Sequence, residues 1–356
     1  MVEKSNSVVT VNLDRLNKNI DSLCCHVDRN TRVMAVVKAD AYGHGAVKVA
    51  ASIEPKVEAF AVNDLQEGIE LRENGIAKPI LVFTVPEASF ASQYRVHNLT
   101  ATVSDKEHFD FLPNGTSYHL NFDTGMGRLG FRPEEAQRVS KLVKQNREIF
   151  CTGIYSHFAT ADNPNSELVL RQHEQFQTIR RYFSENLATH ISNTGGTVFY
   201  ETEQFNMVRL GIGMYGYAPG ETRIEGIEPI LSWKTRLVQT KEVGAKMPIS
   251  YGAKWKAPYD GYLGVLPVGY DDGVRRNLSE QMSVRIGSEK YDVVGTITMN
   301  YCMVFLQDDH YEVGTEVELI YDDNDANEWA KKLDTIPYEI LTGLNSKIPR
   351  EYISTV

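Results

Sequence analysis

Apolar residues recur along this chain in two rhythms. Through the first two thirds, short β-like runs appear eight times: "RVMAVV" (32 to 37), "EAFAV" (58 to 62), "PILVF" (79 to 83), "LTATV" (99 to 103), "SYHLNF" (117 to 122), "FCTGIYS" (150 to 156), "ATHIS" (188 to 192) and "NMVRL" (206 to 210). Between them lie segments such as "NDLQEGIELREN" and "RPEEAQRVSKLVKQN", where apolar residues return at helical spacing and Asn63 is an N-cap candidate. Eight strands alternating with helices fit a closed (β/α)₈ TIM-like barrel better than an open, doubly wound sheet. The helix after "ATHIS" is expected to be short.

After about residue 226 the pattern turns β-rich. "LSWKTRLVQTKEV", "GYLGVLPVGY", "QMSVRIGSEKYDVVGTITMNYCMVFL" and "GTEVELI" carry Gly-containing turns, with little helix before "DANEWAKKL". The expected organisation is a barrel over residues 8–226 followed by a β domain over 227–356. The opening "SVVTVNLDRLNKNIDSL" reads as a strand and a helix, and that strand, near residues 7–13, can pair with either domain.

Composition narrows this picture mainly by exclusion. Hydrophobic residues at 42% and charged residues at 24% are ordinary for a chain that packs a core, so disorder is not expected. A net charge of -10 without a basic stripe argues against nucleic acid and anionic membrane as partners. No window approaches the ~20 apolar residues of a membrane span, and "MVEKSNSVVTV" lacks a signal peptide's apolar stretch, so a cytoplasmic protein is expected. Cys24, Cys25, Cys151 and Cys302 form no metal-binding or disulfide pattern and read as packing residues; no metal site is expected.

One charged residue stands out against the apolar runs. In "MAVVKADAYGHG" the strand Ala35-Val36-Val37 runs directly into Lys38. Either its head snorkels to water, or the amine sits at the C-terminal end of a barrel strand, where reacting groups of such barrels lie. The last two barrel strands end in "SNTGG" and "RLGIG", small residues that serve tight turns or let backbone N–H groups face a phosphate; Thr194, Gly211 and Ile212 are the candidates. A strand-end lysine and a phosphate cradle in one barrel mouth suggest pyridoxal phosphate, whose aldehyde forms a Schiff base with a lysine of lowered pKa.

Six ordered stretches carry a resemblance: "AVVKADAYGHG", "DTGMGRLGF" (123 to 131), "GIYSHFATAD" (153 to 162), "NMVRLGIGMYG" (206 to 216), "ISYGAKW" (249 to 255) and "VGYDDGVRR" (268 to 276). Together they resemble the alanine racemases, pyridoxal phosphate enzymes, from about residue 8 to residue 352. The resemblance implies Lys38 as Schiff-base lysine and one catalytic base, and Tyr251 as the second base, entering from the other subunit of a homodimer with shared active sites. It implies cofactor contacts from Tyr42, His157, Asn193, Thr194, Arg209, Gly211 and Ile212, with Tyr42 on the phosphate and Arg209 on the pyridine nitrogen. His157 would link the tyrosine to the arginine, and Arg128 and, from the partner subunit, the backbone amide of Met299 would face the substrate carboxylate. Tyr270 would line the approach to the site, whereas Asp272 reads as structural.

Three positions depart from the commonest family pattern. Asn121 stands where many members have a carbamylated lysine that orients the arginine matching Arg128, Asn300 replaces an aspartate, and Ser346 replaces a phosphate-binding tyrosine. These changes put the substrate, not the reaction, in doubt. The expected function is interconversion of L- and D-alanine by two bases on a pyridoxal phosphate Schiff base, supplying D-alanine for peptidoglycan. The alternatives are a serine or broad-specificity amino-acid racemase and a non-catalytic pyridoxal phosphate carrier, which lacks a second domain and any counterpart of Tyr251.

Overall fold

The computed structural model describes residues 6–355. Two compact units emerge: Arg15–Glu228 forms one, and the described residues of Met1–Asp14 and Pro229–Val356 form the other.

All eight short apolar runs of the first unit are strands. They are β2 (Arg32–Val36), β3 (Ala59–Val62), β4 (Ile80–Val82), β5 (Ala101–Val103), β6 (Ser117–Asn121), β7 (Phe150–Tyr155), β8 (Ala188–His190) and β9 (Met207–Leu210). Every β3, β4, β5, β8 and β9 residue is buried, because parallel strands covered on both faces have no solvent side. Parallel pairing gives the orders β4-β3-β2-β9 and β5-β6-β7-β8. A parallel bridge between Leu81 and Thr100 links β4 to β5, and the Arg209 N–H donates to Ser192 O at 2.9 Å between β8 and β9. The ring therefore closes as a (β/α)₈ barrel, with the ends of β2 and β9 side by side.

The helix expected after "EAFAV" spans Leu65–Glu73, but its cap is Asp64 rather than Asn63. Asp64 accepts the Glu67 N–H and Glu67 reaches back to the Asp64 N–H, a capping box one residue after the expected N-cap. The helix after "ATHIS" is indeed short, Thr194–Val198. Cys25 is exposed, so it does not serve packing, whereas Cys302 is buried.

The second unit is built on a nine-stranded sheet. To β1 (Val8–Asn12) it adds β10 (Leu231–Arg236), β11 (Gln239–Val243), β14 (Gly261–Leu266), β15 (Ser283–Ile286), β16 (Glu289–Val294), β17 (Cys302–Gln307), β18 (Glu316–Ile320) and β19 (Arg350–Ile353), while β12 (Pro248–Ile249) and β13 (Trp255–Lys256) form a small hairpin. β1 lies between β10 and β19. Its alternation puts Val9 and Val11 inward, so the opening strand belongs to this sheet. Val243, Ile249, Leu263, Val294 and Phe305 form an apolar cluster beside the hairpin, with Trp255 against it.

Candidate active site

At the C-terminal end of β2 the chain makes an uncommon move. Ala39, Asp40, Ala41 and Tyr42 all have φ of 52–53°, one full left-handed turn. Left-handed helix costs L-residues roughly 1–2 kcal/mol each, so the surroundings must hold it. Glu67 does so at its start: its carboxylate accepts the Ala39 N–H and, at 2.7 Å, the Asn63 N–H. Asp40 does so at its end by accepting the Ala46 N–H at 2.7 Å, and the His44 Nδ1 approaches Ala41 O at 2.9 Å. The turn places Lys38 and Tyr42 side by side at the barrel mouth. Lys38 lines a cavity of about 160 Å³ together with Asn121, Arg128, Tyr155 and His157. Burial, and after it the Arg128 cation, hold the Lys38 amine below the usual lysine range; Glu67 opposes them and Arg209 adds to them.

Arg209 is the electrostatic centre of the barrel, 2% exposed and without a carboxylate partner among the described residues. Its Nη1 lies 2.7 Å from His190 Nδ1 and 3.2 Å from His190 O, and its Nη2 donates to Ser156 O at 2.8 Å, Ile191 O at 3.0 Å and His157 Nδ1 at 3.0 Å. The Nε–H alone meets no acceptor among the described residues. Burial pulls Arg209 down to about 10, which leaves it a cation at neutral pH. Burial first, then Arg209, pushes His157 well below the ordinary histidine value, and it does the same to His190. Tyr155 stacks on His190 with ring centroids 5.1 Å apart, and its hydroxyl pairs with Thr102 Oγ1 at 3.0 Å.

The phosphate-cradle candidates converge. The Gly211 N–H donates to Thr194 Oγ1 at 3.0 Å, leaving that hydroxyl proton free to face the mouth. A Cβ on Gly211 would come within 3.0 Å of the Tyr42 hydroxyl, so glycine there is what lets the phenol approach. Buried Ser192 Oγ has no partner among the described residues. Asn193 caps Thr194–Val198 by accepting the Gly196 N–H, so its side chain orders the loop. Tyr42 OH, Thr194 OH and the backbone at Ile212 are a donor set suited to a phosphate; Lys38 suits an aldehyde, and the Arg209 Nε–H an acceptor such as a ring nitrogen. These residues therefore fit pyridoxal phosphate.

Arg128 sits on a loop organised by Asp123, whose carboxylate accepts the N–H groups of Gly125, Met126, Gly127 and Arg128 at 2.8–3.0 Å. Burial would raise that carboxyl, but the backbone donors outweigh it and hold it low. The Arg128 guanidinium is exposed and has no side-chain partner among the described residues. Asn121 spends its Nδ2 on Leu129 O at 2.9 Å instead. Asn121 itself therefore does not hold the Arg128 guanidinium.

Tyr251 and Met299 lie in the β unit, 73% and 53% exposed. Tyr251 opens a short turn, Tyr251–Ala253, whose flanking Ser250 has φ of 64°. Ser250 Oγ donates to Thr296 O at 2.6 Å and Thr296 Oγ1 to Tyr251 O at 3.0 Å, tying this turn to the loop that carries Met299. Asp272 accepts the Gly269 N–H at 2.9 Å, the structural part expected of it. Tyr270, Asn300 and Ser346 are exposed. Residue spacing did not single out Glu67, Tyr155, His190 or His119. The last two were findable as inward positions of their strands, two residues below Ser192 and Asn121.

Known proteins resemble this chain in both sequence and fold. Residues 11–219 match the family model for the alanine racemase N-terminal domain, and residues 230–352 that for its C-terminal domain. An alanine racemase of Streptococcus mutans is 36% identical over 358 residues, covering 96% of this chain and 95% of that one. The solved alanine racemase of Clostridium difficile superposes with a TM-score of 0.94 at 32% identity, covering 99% of this chain and 97% of that one. A histidine racemase from Leuconostoc mesenteroides superposes with a TM-score of 0.92 at 26% identity, each chain 99% covered. Two family models in order, matched over nearly the whole length, leave one conclusion: the chain belongs to the alanine racemase family, whose members are isomerases.

Proposed function

We propose that this chain is a cytoplasmic, pyridoxal phosphate-dependent racemase that interconverts L- and D-alanine and supplies D-alanine for peptidoglycan. The reading is supported by Lys38, a buried amine of lowered proton affinity, together with the Thr194–Gly211 cradle and an Arg209 Nε–H that meets no acceptor among the described residues. Bound there, pyridoxal phosphate supplies the electron sink that acidifies the substrate Cα–H.

The chain's own residues do the rest. Tyr42, Thr194, Gly211 and Ile212 hold the phosphate, with Asn193 ordering the loop. Arg209 donates to the ring nitrogen and, having no proton to lose near neutrality, leaves that nitrogen unprotonated, which restrains the sink. Inverting a stereocentre requires a base on each face. Lys38 moves the proton on one face and Tyr251 of the partner subunit on the other, in a homodimer with shared sites. His157, tied to Arg209, presents its remaining ring nitrogen to the mouth, where a phenol can be oriented. Arg128 and, from the partner subunit, the Met299 backbone receive the substrate carboxylate.

Substrate choice has a second reading, a racemase that accepts larger amino acids. The unpartnered Arg128 guanidinium and the likeness to a histidine racemase favour it. The deciding experiment incubates reconstituted enzyme with L-alanine, L-serine or L-histidine in deuterated water. Alanine turned over fastest with Cα deuteration sustains the first reading, and histidine or serine turned over faster sustains the second. No exchange with any of them removes both.

A further inference from the structure

Arginine has donors and no acceptor, so each hydrogen bond it makes dictates the state of its partner. Arg209 approaches His190 and His157 through their Nδ1 atoms, at 2.7 and 3.0 Å. Both imidazoles must offer a lone pair there. Being buried beside a cation they are neutral, and so carry their proton on Nε2. His190 Nε2 lies 2.9 Å from His119 Nδ1. His190 therefore donates, and His119 also carries its proton on Nε2. Three groups thus point their N–H bonds the same way, from Arg209 through His190 to His119, and such chains strengthen cooperatively.

The chain ends at the opposite side of the barrel from Lys38. His119 is 6% exposed and lines a cavity of about 370 Å³ at the amino-terminal strand ends, beside Met34 and Met207. The charged groups facing it there are Arg32, Glu58 and Lys78. Nothing in the cofactor reading uses His119, although burial there, and next Arg209, hold its imidazole down to about 3.

We propose that His119 is a positioning residue for the racemase reaction, acting on Arg209 through His190. This rests on the reading that Arg209 faces the cofactor ring. With an acceptor at the His119 Nδ1 position, His190 keeps its proton on Nε2 and its lone pair on Nη1 of the arginine, which holds the guanidinium with Nε–H toward the mouth. Without that acceptor the His190 Nε2–H is buried and unsatisfied. Moving its proton to Nδ1 then sets two donors against each other, and the guanidinium must turn.

The test uses holoenzyme labelled with ¹⁵N in its histidine rings, because ring-nitrogen shifts report the tautomer directly. The expected result is Nε2–H for His157, His190 and His119 in the parent protein. His119→Asn puts an amide oxygen near the position of Nδ1 and should preserve the His190 tautomer, the cofactor absorption maximum and the pH profile of kcat. His119→Leu should disturb all three and lower kcat roughly tenfold, with little change in KM, because a displaced electrostatic group weakens the chemical step rather than substrate binding. The proposal is overturned if His190 carries its proton on Nδ1 in the parent, if His119→Leu leaves its tautomer and the absorption maximum unchanged, or if His119→Asn behaves as the leucine variant does. If His119→Leu does not fold, the parent tautomers and the asparagine variant decide alone. A protein that takes up no cofactor fails the parent reading instead, and the same ring shifts, recorded on it, still report the hydrogen-bond chain.

Discussion

The side-chain carboxylate of Glu67 accepts the backbone N–H of Ala39, the residue directly after Lys38. A helix cap on one βα unit thereby holds the left-handed turn of its neighbour. Glu67→Gln keeps one acceptor oxygen and puts an NH₂ donor where the other backbone N–H points, so unfolding free energy should fall by about 2 kcal/mol, read from urea midpoints. Glu67 also opposes the downward shift at Lys38. In cofactor-free Glu67→Gln, the pH at which Lys38 becomes reactive toward an acylating reagent should therefore move lower; a rise would show that the carboxylate does not act on that amine.

Gly211→Ala tests the cradle. The added methyl meets the Tyr42 hydroxyl at 3.0 Å without lying in the left-handed region. Cofactor affinity should drop roughly tenfold or more while turnover at saturating cofactor changes less, as expected when a group that binds but does not react is displaced. Equilibrium titration of apoprotein separates the two.

Acid should destabilise the fold through its buried imidazoles. His119, His157 and His190 hold folded-state values below the ~6.5 of an unfolded chain, so the unfolded state takes up protons first as pH falls. Stability is lost progressively below about pH 6.5, and for His119 the loss continues until about 3. At about pH 5 the neutral His119 imidazole contributes a loss of roughly 2 kcal/mol. His119→Asn should therefore be less acid-sensitive than the parent by about that amount between neutrality and about pH 5, measured by urea midpoints at the two pH values. Equal slopes would contradict the buried neutral state.

Tyr251→Phe removes only a hydroxyl from an exposed ring, so stability should change by less than about 0.5 kcal/mol. Racemisation should fall roughly 10²–10⁴-fold, the usual worth of a proton-transferring group, and more in one direction than the other. Initial rates from each enantiomer measure this.

Asn121→Ala frees the Leu129 carbonyl and loosens the loop that carries Arg128. The expected effect is a rise in KM of roughly fivefold with kcat changed less, because a hydrogen bond worth about 1 kcal/mol is lost from substrate placement. Steady-state kinetics on L-alanine decide it.

The barrel was legible because each of its strands is a compact apolar run, and Lys38, Thr194 and Gly211 because they sit where those runs stop. The polar barrel interior was not. His119, Tyr155 and His190 occupy inward positions that in an ordinary barrel hold branched aliphatic residues, and a lone histidine in an apolar run gives no sign of its partner 71 positions away (190 - 119). Asp64 was missed as a cap because Asn63 before it has the same propensity, and only the reach of Glu67 distinguishes them. The left-handed turn was invisible for a different reason: Ala39 and Ala41 have no preference for it, and the acceptor that compensates lies on another helix.

The placement of β1 between β10 and β19 has a consequence for biogenesis. Val8 pairs with Lys234, 226 positions later (234 - 8), and Val9 with Arg350, 341 later (350 - 9). At ribosomal rates of about 5–20 residues per second, the first strand waits roughly ten seconds or more for its first neighbour and longer for its second. Throughout that interval it is an unpaired, half-apolar ribbon, open to wrong edge-to-edge pairing until its second neighbour has been made.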